Sequence, residues 1–419
     1  MFSERINVLK AAGITAEYNP LHNGHVYHIE ETRRVTGCDA VVVAMSGNYV
    51  QRGEPAIMDK WSRAEHALRC GADLVLEIPV LFCLGNAGQY ANAAVRILEA
   101  TGKVSDISFG SESGNAEALT RIAQTFRDHE ELIESAVKTL RRKGFSYPAA
   151  RAHAYSELRS SMKGTGTDPD DEIREELKIL NEANDILAIE YIRAMRDAAP
   201  VVIHREGAGY SDPYDERIVY QSASAIRAQT FSGKDLSKYV PDCTAKSLSG
   251  CHLTGPDRDI WFDLLRYAVL SQSEETIEDC PSGGEGLASL VKSVIGTTDS
   301  WPAFVRRIKS KGYTYTRLSR LCMQLVLGIS RSRYDIGDPG YIRVLGFNDT
   351  GRQLLAEMRE EGTGLPVIIN VNKTIGNLDA RASSLLQLDM HASDIYNLVT
   401  AGDIGSNSDH RRSPVIIQK

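Results

Sequence analysis

Two histidines and a glycine, His22, Gly24 and His25, form a His-x-Gly-His motif near the start of the chain. The motif lies between an apolar run that predicts a strand and a segment that predicts a helix. A helix start offers free backbone N–H groups and a partial positive charge, which both favour a phosphate chain. The imidazoles can donate hydrogen bonds to oxygens that gain charge when the bond between the α- and β-phosphates breaks. The motif therefore predicts nucleotidyl transfer chemistry.

The same residues allow two other interpretations. An isolated histidine is more often an ordinary surface or core residue than a catalytic group. A metal site is a second alternative, because His22, His25 and His28 recur every third residue. However, the segment has no His-Glu-x-x-His arrangement and no neighbouring carboxylate ligand. Phosphate binding is favoured, and Gly24 supports it because a residue without a side chain lets phosphates approach the backbone closely.

A second polar segment, Gln-Ser-Ala-Ser-Ala-Ile-Arg at 221–227, predicts two hydroxyls and one cation at the start of another helix. Ser222, Ser224 and Arg227 could bind the β- and γ-phosphates as pyrophosphate leaves, with the guanidinium in a forked geometry. By itself, Ser-x-Ser before an apolar residue usually marks only a helix cap. Together with the His-x-Gly-His motif it supports a phosphate site.

Three single residues are further candidates for the same site. Gly110 follows a predicted strand at the edge where open α/β sheets bind ligands, so an adenosine could lie against it; a plain turn glycine is the alternative. Asn184 could bind base or ribose, or cap its helix. Arg205 follows the strand at 199–204 and could reach phosphate or face solvent. Asp59 and Lys60 allow either a surface ion pair or a lysine that leans into the site.

The elements that must position these residues alternate regularly along the first half of the chain. Strands are predicted at 8–15, 40–44, 73–78, 104–109 and 199–204, and helices at 25–35, 62–69, 88–100, 172–180 and 183–196. Strands separated by helices imply parallel pairing through right-handed crossovers. The predicted fold is α/β, with a doubly wound parallel sheet in a nucleotide-binding catalytic domain at 1–235 and a second, mainly helical domain at 236–419.

Composition narrows the class of protein further. The 419 residues are 42% hydrophobic and 25% charged, which is typical of a packed globular protein. No apolar run approaches the roughly 20 residues that a membrane crossing needs, and no secretory signal pattern is present, so a cytoplasmic location is expected. Seven cysteines without a Cys-x-x-Cys pair fit reduced, packed thiols better than disulfides or a zinc site.

The net charge of −7 hides a basic stretch between residues 301 and 334, which contains eight basic and no acidic residues. Two tyrosines, at 313 and 315, lie within it. This pattern predicts a surface for a polyanion, with a solvated helical face as the alternative. The residues that we select as candidates are Arg306, Arg307, Lys309, Lys311, Arg317 and Arg320.

Taken together, these motifs resemble the bacterial tRNA(Met) cytidine acetate ligases of the nucleotidylyltransferase superfamily. The resemblance covers most of the chain. The stretches that carry it are Glu-Tyr-Asn-Pro-Leu-His-Asn-Gly-His at 17–25, Arg-Gly-Glu-Pro-Ala at 52–56, Gly-Ala-Asp-Leu-Val-Leu-Glu-Ile-Pro at 71–79, Phe-Gly-Ser-Glu at 109–112, Asn-Asp-Ile-Leu-Ala-Ile-Glu-Tyr at 184–191 and Ser-Ala-Ser-Ala-Ile-Arg at 222–227.

The resemblance implies an enzyme that makes acetyl adenylate from acetate and ATP, with Mg²⁺ as a helper. The acetyl group is then transferred to N4 of the wobble cytidine of elongator tRNA(Met), and the basic stretch is the candidate tRNA surface. The implied ATP site comprises Gly110, Asn184, Arg205 and the segment Thr15, Ala16, Glu17, Tyr18, Asn19, Pro20, Leu21, His22, Asn23, Gly24, His25, Val26, Tyr27 and His28.

Two other functions remain open on the residues alone. The His-x-Gly-His motif also fits nucleotidyl transfer to a small phosphorylated metabolite, although the long basic second domain argues against that function. A noncatalytic RNA-binding protein with a nucleotide pocket is the third possibility.

Overall fold

The structure is a computed structural model, and it describes residues 9–163, 170–205, 215, 220–250, 253–256, 258–284, 286–310, 312–401 and 408–418. The strands are β1 (Ala11–Ala16), β2 (Ala40–Ser46), β3 (Tyr49–Val50), β4 (Glu54–Pro55), β5 (Leu74–Ile78), β6 (Val104–Ser111), β7 (Ala199–His204), β8 (Ile342–Phe347), β9 (Val367–Ile368) and β10 (Val415–Ile416).

The helices fall into two groups along the chain. Those before residue 205 are α1 (Asn23–Thr36), α2 (Lys60–Arg69), α3 (Val80–Cys83), α4 (Ala87–Glu99), α5 (Ala116–Asp128), α6 (Glu130–Arg142), α7 (Tyr147–Lys163), α8 (Asp171–Ile179) and α9 (Ala183–Ala194). Those after it are α10 (Ala223–Thr230), α11 (Asp242–Leu248), α12 (Asp259–Ser271), α13 (Glu274–Glu278), α14 (Leu287–Ile295), α15 (Trp301–Ile308), α16 (Tyr315–Val326), α17 (Asp349–Glu361), α18 (Val371–Thr374) and α19 (Ala380–Thr400).

Eight of the described strands form one sheet, in the order β10-β8-β5-β2-β1-β6-β7, with β9 also paired to β8. The five strands β5, β2, β1, β6 and β7 run parallel to one another, whereas β8 is antiparallel to β5. Since β1 lies between β2 and β6, the connections after β1 and β6 diverge to opposite sides. Such a switch point opens a crevice at the carboxyl ends of the strands.

Helices cover the central strands on both faces. In β2, Val41 and Val43 pack into one core cluster with residues of α2, while Val42 and Ala44 pack into the other with residues of α4. Alternate residues of a strand point to opposite faces, so a strand that is apolar at every position needs a layer of helices on each face of the sheet. The α/β class with a doubly wound parallel sheet is therefore confirmed.

Helices dominate the chain after residue 220, as expected, and Trp261 and Trp301 are buried in their core. Three strands of this region, β8, β9 and β10, nevertheless extend the sheet that begins in the first half. The division into domains at residue 235 stays a prediction. Helix α16 also packs against the β3–β4 hairpin, where the Ser319 hydroxyl donates a hydrogen bond to the carbonyl of Gly53 at 2.8 Å.

A buried ion network joins the sheet to the C-terminal segment. Lys60 is fully buried, and its Nζ lies 2.8 Å from Glu77 Oε1 and 2.9 Å from Asp409 Oδ2. Arg343 of β8 contacts the same two carboxylates at 3.2 and 3.0 Å. Neither alternative for Asp59 and Lys60 was right: Asp59 caps α2 by accepting from backbone N–H groups, and Lys60 belongs to this interior network.

Two smaller expectations concern cysteines and membranes. The six cysteines whose side chains the structure describes are free, and four of them are buried. Cys251 lies outside the described residues. Within the described ranges, no helix has the length and apolar character to cross a bilayer.

Candidate active site

The start of helix α1 is built by its own histidines. His22 is the N-cap residue, and its Nδ1 accepts a hydrogen bond from the backbone N–H of Gly24 at 3.1 Å. Nδ1 of His25 in turn accepts from the backbone N–H of His22 at 3.2 Å. Two reciprocal acceptors of this kind form a capping box. Because both Nδ1 atoms accept from N–H donors, the ring proton of each neutral imidazole must reside on Nε2.

The two imidazoles therefore form a pair of donors with a fixed orientation. Their rings stack with centroids 3.7 Å apart and an interplanar angle of 28°. Gly24 is required for this arrangement, because a Cβ at that position would lie 3.0 Å from Cε1 and 3.1 Å from Nδ1 of His22. The absence of a side chain at Gly24 therefore leaves space for the His22 ring and also keeps the backbone accessible to phosphate.

The two histidines of the motif, and His28 three residues further along α1, have depressed pKa values. Burial, and then Arg205 and Arg227, lower the pKa of His22 to about 3. Burial, His22 and Arg205 lower the pKa of His25 well below its usual range. Burial and then Arg205 lower the pKa of His28 to about 4. In the free protein the imidazoles are neutral at pH 7, so they serve as N–H donors rather than as cations.

These shifts predict an acid sensitivity of the fold. Between pH 6.5 and about 4 the unfolded chain protonates His28 while the folded chain does not, so the unfolded state binds more protons. The stabilising contribution is complete above pH 6.5 and is lost as the pH falls towards 4. Urea unfolding of His28→Gln should show a shallower loss of stability between pH 7 and 5 than wild type. Equal slopes would contradict the assignment.

A second helix start forms the wall opposite α1. Ser222 is the N-cap of α10, and its hydroxyl accepts from the backbone N–H of Ala225 at 3.1 Å. Ser222, Ser224 and Arg227 all line the cavity that contains His22 and His25. Arg227 Nη1 donates to the carbonyl of Asn19 at 2.6 Å, which connects α10 to the loop after β1. The structure brings the two predicted phosphate-binding segments together.

The third wall comes from β6, β7 and α9, and Gly110, Asn184 and Arg205 all line it. A Cβ at Gly110 would lie 3.1 Å from Cγ of Arg205, so the glycine makes room for that side chain. Asn184 does not cap its own helix. Instead, the carboxylate of Glu112 accepts from the backbone N–H groups of Asn184 and Asp185 at 3.1 Å and from the Asn184 side chain.

The segment from Thr15 to His28 divides into lining and supporting residues. Four of its members do not line the cavity: Pro20, Leu21, Asn23 and Val26. Leu21 is fully buried in the core beneath α1. Asn23 donates from its backbone N–H to Tyr239 O at 3.0 Å and from its side chain to Lys238 O at 3.0 Å. Its role in the structure is to attach the start of α1 to the region after residue 235.

Some lining residues had no assigned role in the sequence. Gln51, Arg52 and Tyr90 line the cavity on the side of β2 and α4. The Arg-Gly-Glu stretch at 52–54 was the available signal, because it belongs to the motifs that carry the resemblance. The buried Arg63 supports this side, since its guanidinium donates to the carbonyls of Glu17 at 2.6 Å and Ser46 at 3.1 Å.

The metal-site alternative finds no support in the geometry. His22 and His25 use Nδ1 to accept backbone hydrogen bonds, and His28 Nε2 lies 2.9 Å from the hydroxyl of Ser108 in β6. Across the described part of the chain, no three histidines, cysteines or carboxylates are grouped as ligands for a metal ion.

The basic stretch is not one uniform surface. Arg306, Arg307 and Lys309 are exposed at the end of α15. Arg317 donates to the carbonyls of Ser282 and Gly283, both at 3.1 Å. Arg320 lies mostly in the interior, where burial lowers its pKa to about 10, and it donates to Gln51 O at 3.3 Å. Lys311 lies outside the described residues.

The fold and the cavity define a nucleotidyl transferase: a helix N-terminus with two imidazole donors opens at the switch point of a doubly wound sheet. A family model described as HIGH Nucleotidyl Transferase matches residues 9–411. The chain is 32% identical to the tRNA(Met) cytidine acetate ligase of Clostridium perfringens, over 98% of this chain and 100% of that protein. Identity to the ligase of Caldanaerobacter subterraneus is 35%, over 93% and 95% of the two chains. The chain belongs to the tRNA(Met) cytidine acetate ligase family.

Solved structures agree with this assignment. The apo crystal structure of Thermotoga maritima TmcAL matches with a TM-score of 0.89 and 31% identity, over 98% of this chain and 100% of that one. The form of the same protein bound with alpha-thio ATP matches with a TM-score of 0.86 and 30% identity, over the same shares of the two chains.

Proposed function

We propose that this protein uses ATP and acetate to form acetyl adenylate, and transfers the acetyl group to N4 of the wobble cytidine of elongator tRNA(Met) in the cytoplasm. The observation that carries the proposal is the convergence of His22 and His25 at the start of α1 with Ser222 and Arg227 at the start of α10. Two helix N-termini, two N–H donors and a guanidinium suit the triphosphate of ATP. The assignment of acetate and tRNA as the other substrates rests on the family relationship.

In the first step, an acetate oxygen attacks the α-phosphorus in line, and the bond from that phosphorus to the bridging oxygen breaks. The electron pair leaves with pyrophosphate. Nε2–H groups of His22 and His25 donate to the oxygens that gain charge, and their orientation is already set by the capping box. Because acetate itself is the nucleophile, no protein nucleophile is required. The fixed geometry lowers the cost of organising the donors.

Mg²⁺ fits this site as an ion that arrives with the nucleotide. Glu17 is the one carboxylate among the described lining residues, and its Oε1 accepts from the backbone N–H of Gln51. A magnesium ion prefers substrate phosphates together with one or two carboxylates, so Glu17 is the residue that would help to hold it. The bound ion would offset phosphate charge.

In the second step, the exocyclic amine of cytidine attacks the acetyl carbonyl and forms the new C–N bond. The bond from the acyl carbon to the phosphate oxygen breaks, and AMP and one proton of the amine leave. Water must be kept from the mixed anhydride, since hydrolysis would waste it. Tyr90, which is buried on the β2 side of the cavity, favours this exclusion.

Mass spectrometry of elongator tRNA(Met) incubated with protein, ATP and labelled acetate tests the whole proposal. Label on the wobble cytidine is expected. Exchange of pyrophosphate into ATP separates the other functions: stimulation by a phosphorylated metabolite rather than acetate would indicate a metabolite enzyme, and no exchange with any acceptor would indicate a binding protein.

The exposed end of α15 leads to a prediction about tRNA binding. Changing Arg306 and Arg307 together to glutamate should weaken tRNA binding and flatten its salt dependence, because fewer counterions are released. Acetate-dependent exchange without tRNA should be unchanged. A filter-binding titration at several salt concentrations provides the measurement. Charge reversal at Arg317 or Arg320 is a poorer test, since both bind backbone carbonyls of the fold.

If exchange and tRNA binding fell equally in the Arg306 and Arg307 variant, the proposed separation of the two surfaces would be wrong. Arg359→Glu on α17 is the matched control, because it is another exposed arginine but lies outside the basic stretch.

A further inference from the structure

The cavity has one wall that the nucleotide does not account for. Gly110, Asn184 and Arg205 come from the side of β6 and β7, and the imidazoles come from the β1–α1 junction. Across β1 lies the β2 side, which supplies Gln51 and Arg52 from the hairpin loop between β3 and β4. If adenosine lies along the first side and the triphosphate at the junction, the β2 side is the part of the cavity that is left for a second substrate.

The chemistry of this wall suits a small carboxylate. Three arginines line the cavity among the described residues: Arg52, Arg205 and Arg227. Arg205 lies beside Gly110, and Arg227 is attached to the loop after β1, so both belong to the nucleotide walls. Arg52 is the arginine of the β2 side. A guanidinium matches the two oxygens of a carboxylate in a forked geometry.

Arg52 lies on a loop whose position is fixed from two directions. On the cavity side, the backbone N–H of Gln51 donates to Glu17 Oε1 at 2.8 Å. On the other side, Arg320 donates to the carbonyl of Gln51, and Ser319 donates to the carbonyl of Gly53. Gly53 has φ +79°, and a Cβ there would lie 2.2 Å from the backbone nitrogen of Arg320. The loop therefore packs directly on α16 and is preorganised.

Tyr90 supplies the neutral, partly apolar neighbour that a short acyl group needs. It is 2% exposed, and its hydroxyl lies 3.3 Å from the carbonyl of Ala16 and 3.4 Å from the hydroxyl of Ser46. Burial holds the pKa of Tyr90 well above its usual range, so the ring stays neutral. A neutral aromatic ring in the same cavity does not compete with acetate for the guanidinium.

We propose that Arg52 binds the carboxylate of acetate and directs one of its oxygens at the α-phosphorus, and that the contacts with Glu17 and α16 hold Arg52 in place for this. The assignment rests on the proposed function, because it names the residue that receives the second substrate of that reaction. It also gives a role to the Arg-Gly-Glu stretch at 52–54. Because that loop contacts α16, the β2 side of the cavity is connected to the region of the basic stretch.

Acetate-dependent exchange of pyrophosphate into ATP tests the assignment with Arg52→Gln and Arg52→Lys. Losing a charge-assisted pair should raise the KM for acetate about 10- to 100-fold in Arg52→Gln. Arg52→Lys should lie between it and wild type, since it keeps the charge and loses the fork. The Kd for ATP, measured without acetate, should stay within about twofold of wild type. Arg359→Gln should match wild type in both measurements.

Three outcomes would overturn the assignment. An unchanged KM for acetate would show that Arg52 does not contact it. A Kd for ATP that weakens as much as the KM for acetate would place Arg52 in the nucleotide site. A wild-type protein whose exchange does not depend on acetate would contradict the proposed function itself, and this result does not involve the variants. Thermal unfolding of each variant shows whether it is folded, and Arg52→Lys keeps the test valid should Arg52→Gln be unstable.

Discussion

Replacing His25 with glutamine should lower the rate of acetate-dependent pyrophosphate exchange about 10²- to 10³-fold, because a positioned donor to the developing charge is lost. The substitution is chosen to spare the fold. Glutamine at the third position of a helix is a usual capping-box partner, so it can still accept from the backbone N–H of His22. The defect should appear in kcat, since a donor that acts mainly in the transition state contributes little to ground-state binding.

His22→Asn is the companion variant and should show a loss of the same order. Asparagine is a preferred N-cap residue, so the start of α1 should be retained while the Nε2–H donor is removed. Thermal unfolding checks that both variants keep wild-type stability. If either variant kept more than a tenth of the wild-type rate while folded, the imidazole pair would not be the source of the stabilisation.

Lys60→Met should destabilise the fold by about 3–5 kcal/mol, because it leaves a buried carboxylate charge without its partner. Lys60 contacts Glu77 and Asp409, and Arg343 alone would then face both carboxylates. Although burial raises its pKa, Arg343 and Lys60 together lower the pKa of Asp409 to about 2, so the carboxylate is charged in the folded state. Urea unfolding at pH 7 gives the free energy directly.

Lys10→Met is the matched control for Lys60→Met. Lys10 is half exposed and pairs with Asp106 at 3.3 Å on the surface, where such pairs contribute no more than about 1 kcal/mol. Similar losses in the two variants would mean that the buried network is not a major stabilising feature. A loss below about 1 kcal/mol for Lys60→Met would lead to the same conclusion.

The parallel half of the fold could be predicted because its strands and helices alternate along the chain, and because β1, β2 and β5 are apolar and buried at nearly every position. The strand predicted at 199–204 is β7, Ala199–His204, and the helix predicted from about residue 25 begins at Asn23. The His-x-Gly-His and Ser-x-Ser segments were also expected at helix starts, and both lie there. Local periodicity and local capping chemistry were sufficient for these features.

Other features depend on contacts that no local pattern reveals. Lys60 and Asp409 are 349 positions apart, so the sequence around Lys60 gives no sign of its partner. Strand β10 has only two residues, which is too short for a periodic signal. Histidine is not a preferred N-cap, so the capping box that fixes the ring protons appears only in the structure. The sequence predicted a surface position for Arg320, because its partner, the carbonyl of Gln51, comes from a hairpin that is distant in the chain.

A crystal structure of the protein with a nonhydrolysable ATP analogue would settle whether the triphosphate lies on the start of α1. We expect phosphate oxygens within about 3.2 Å of Nε2 of both His22 and His25, with Ser222 and Arg227 on the opposite side. Phosphates bound elsewhere, or a cavity closed by side chains with the analogue absent, would contradict this binding mode and the chemistry that we derive from it.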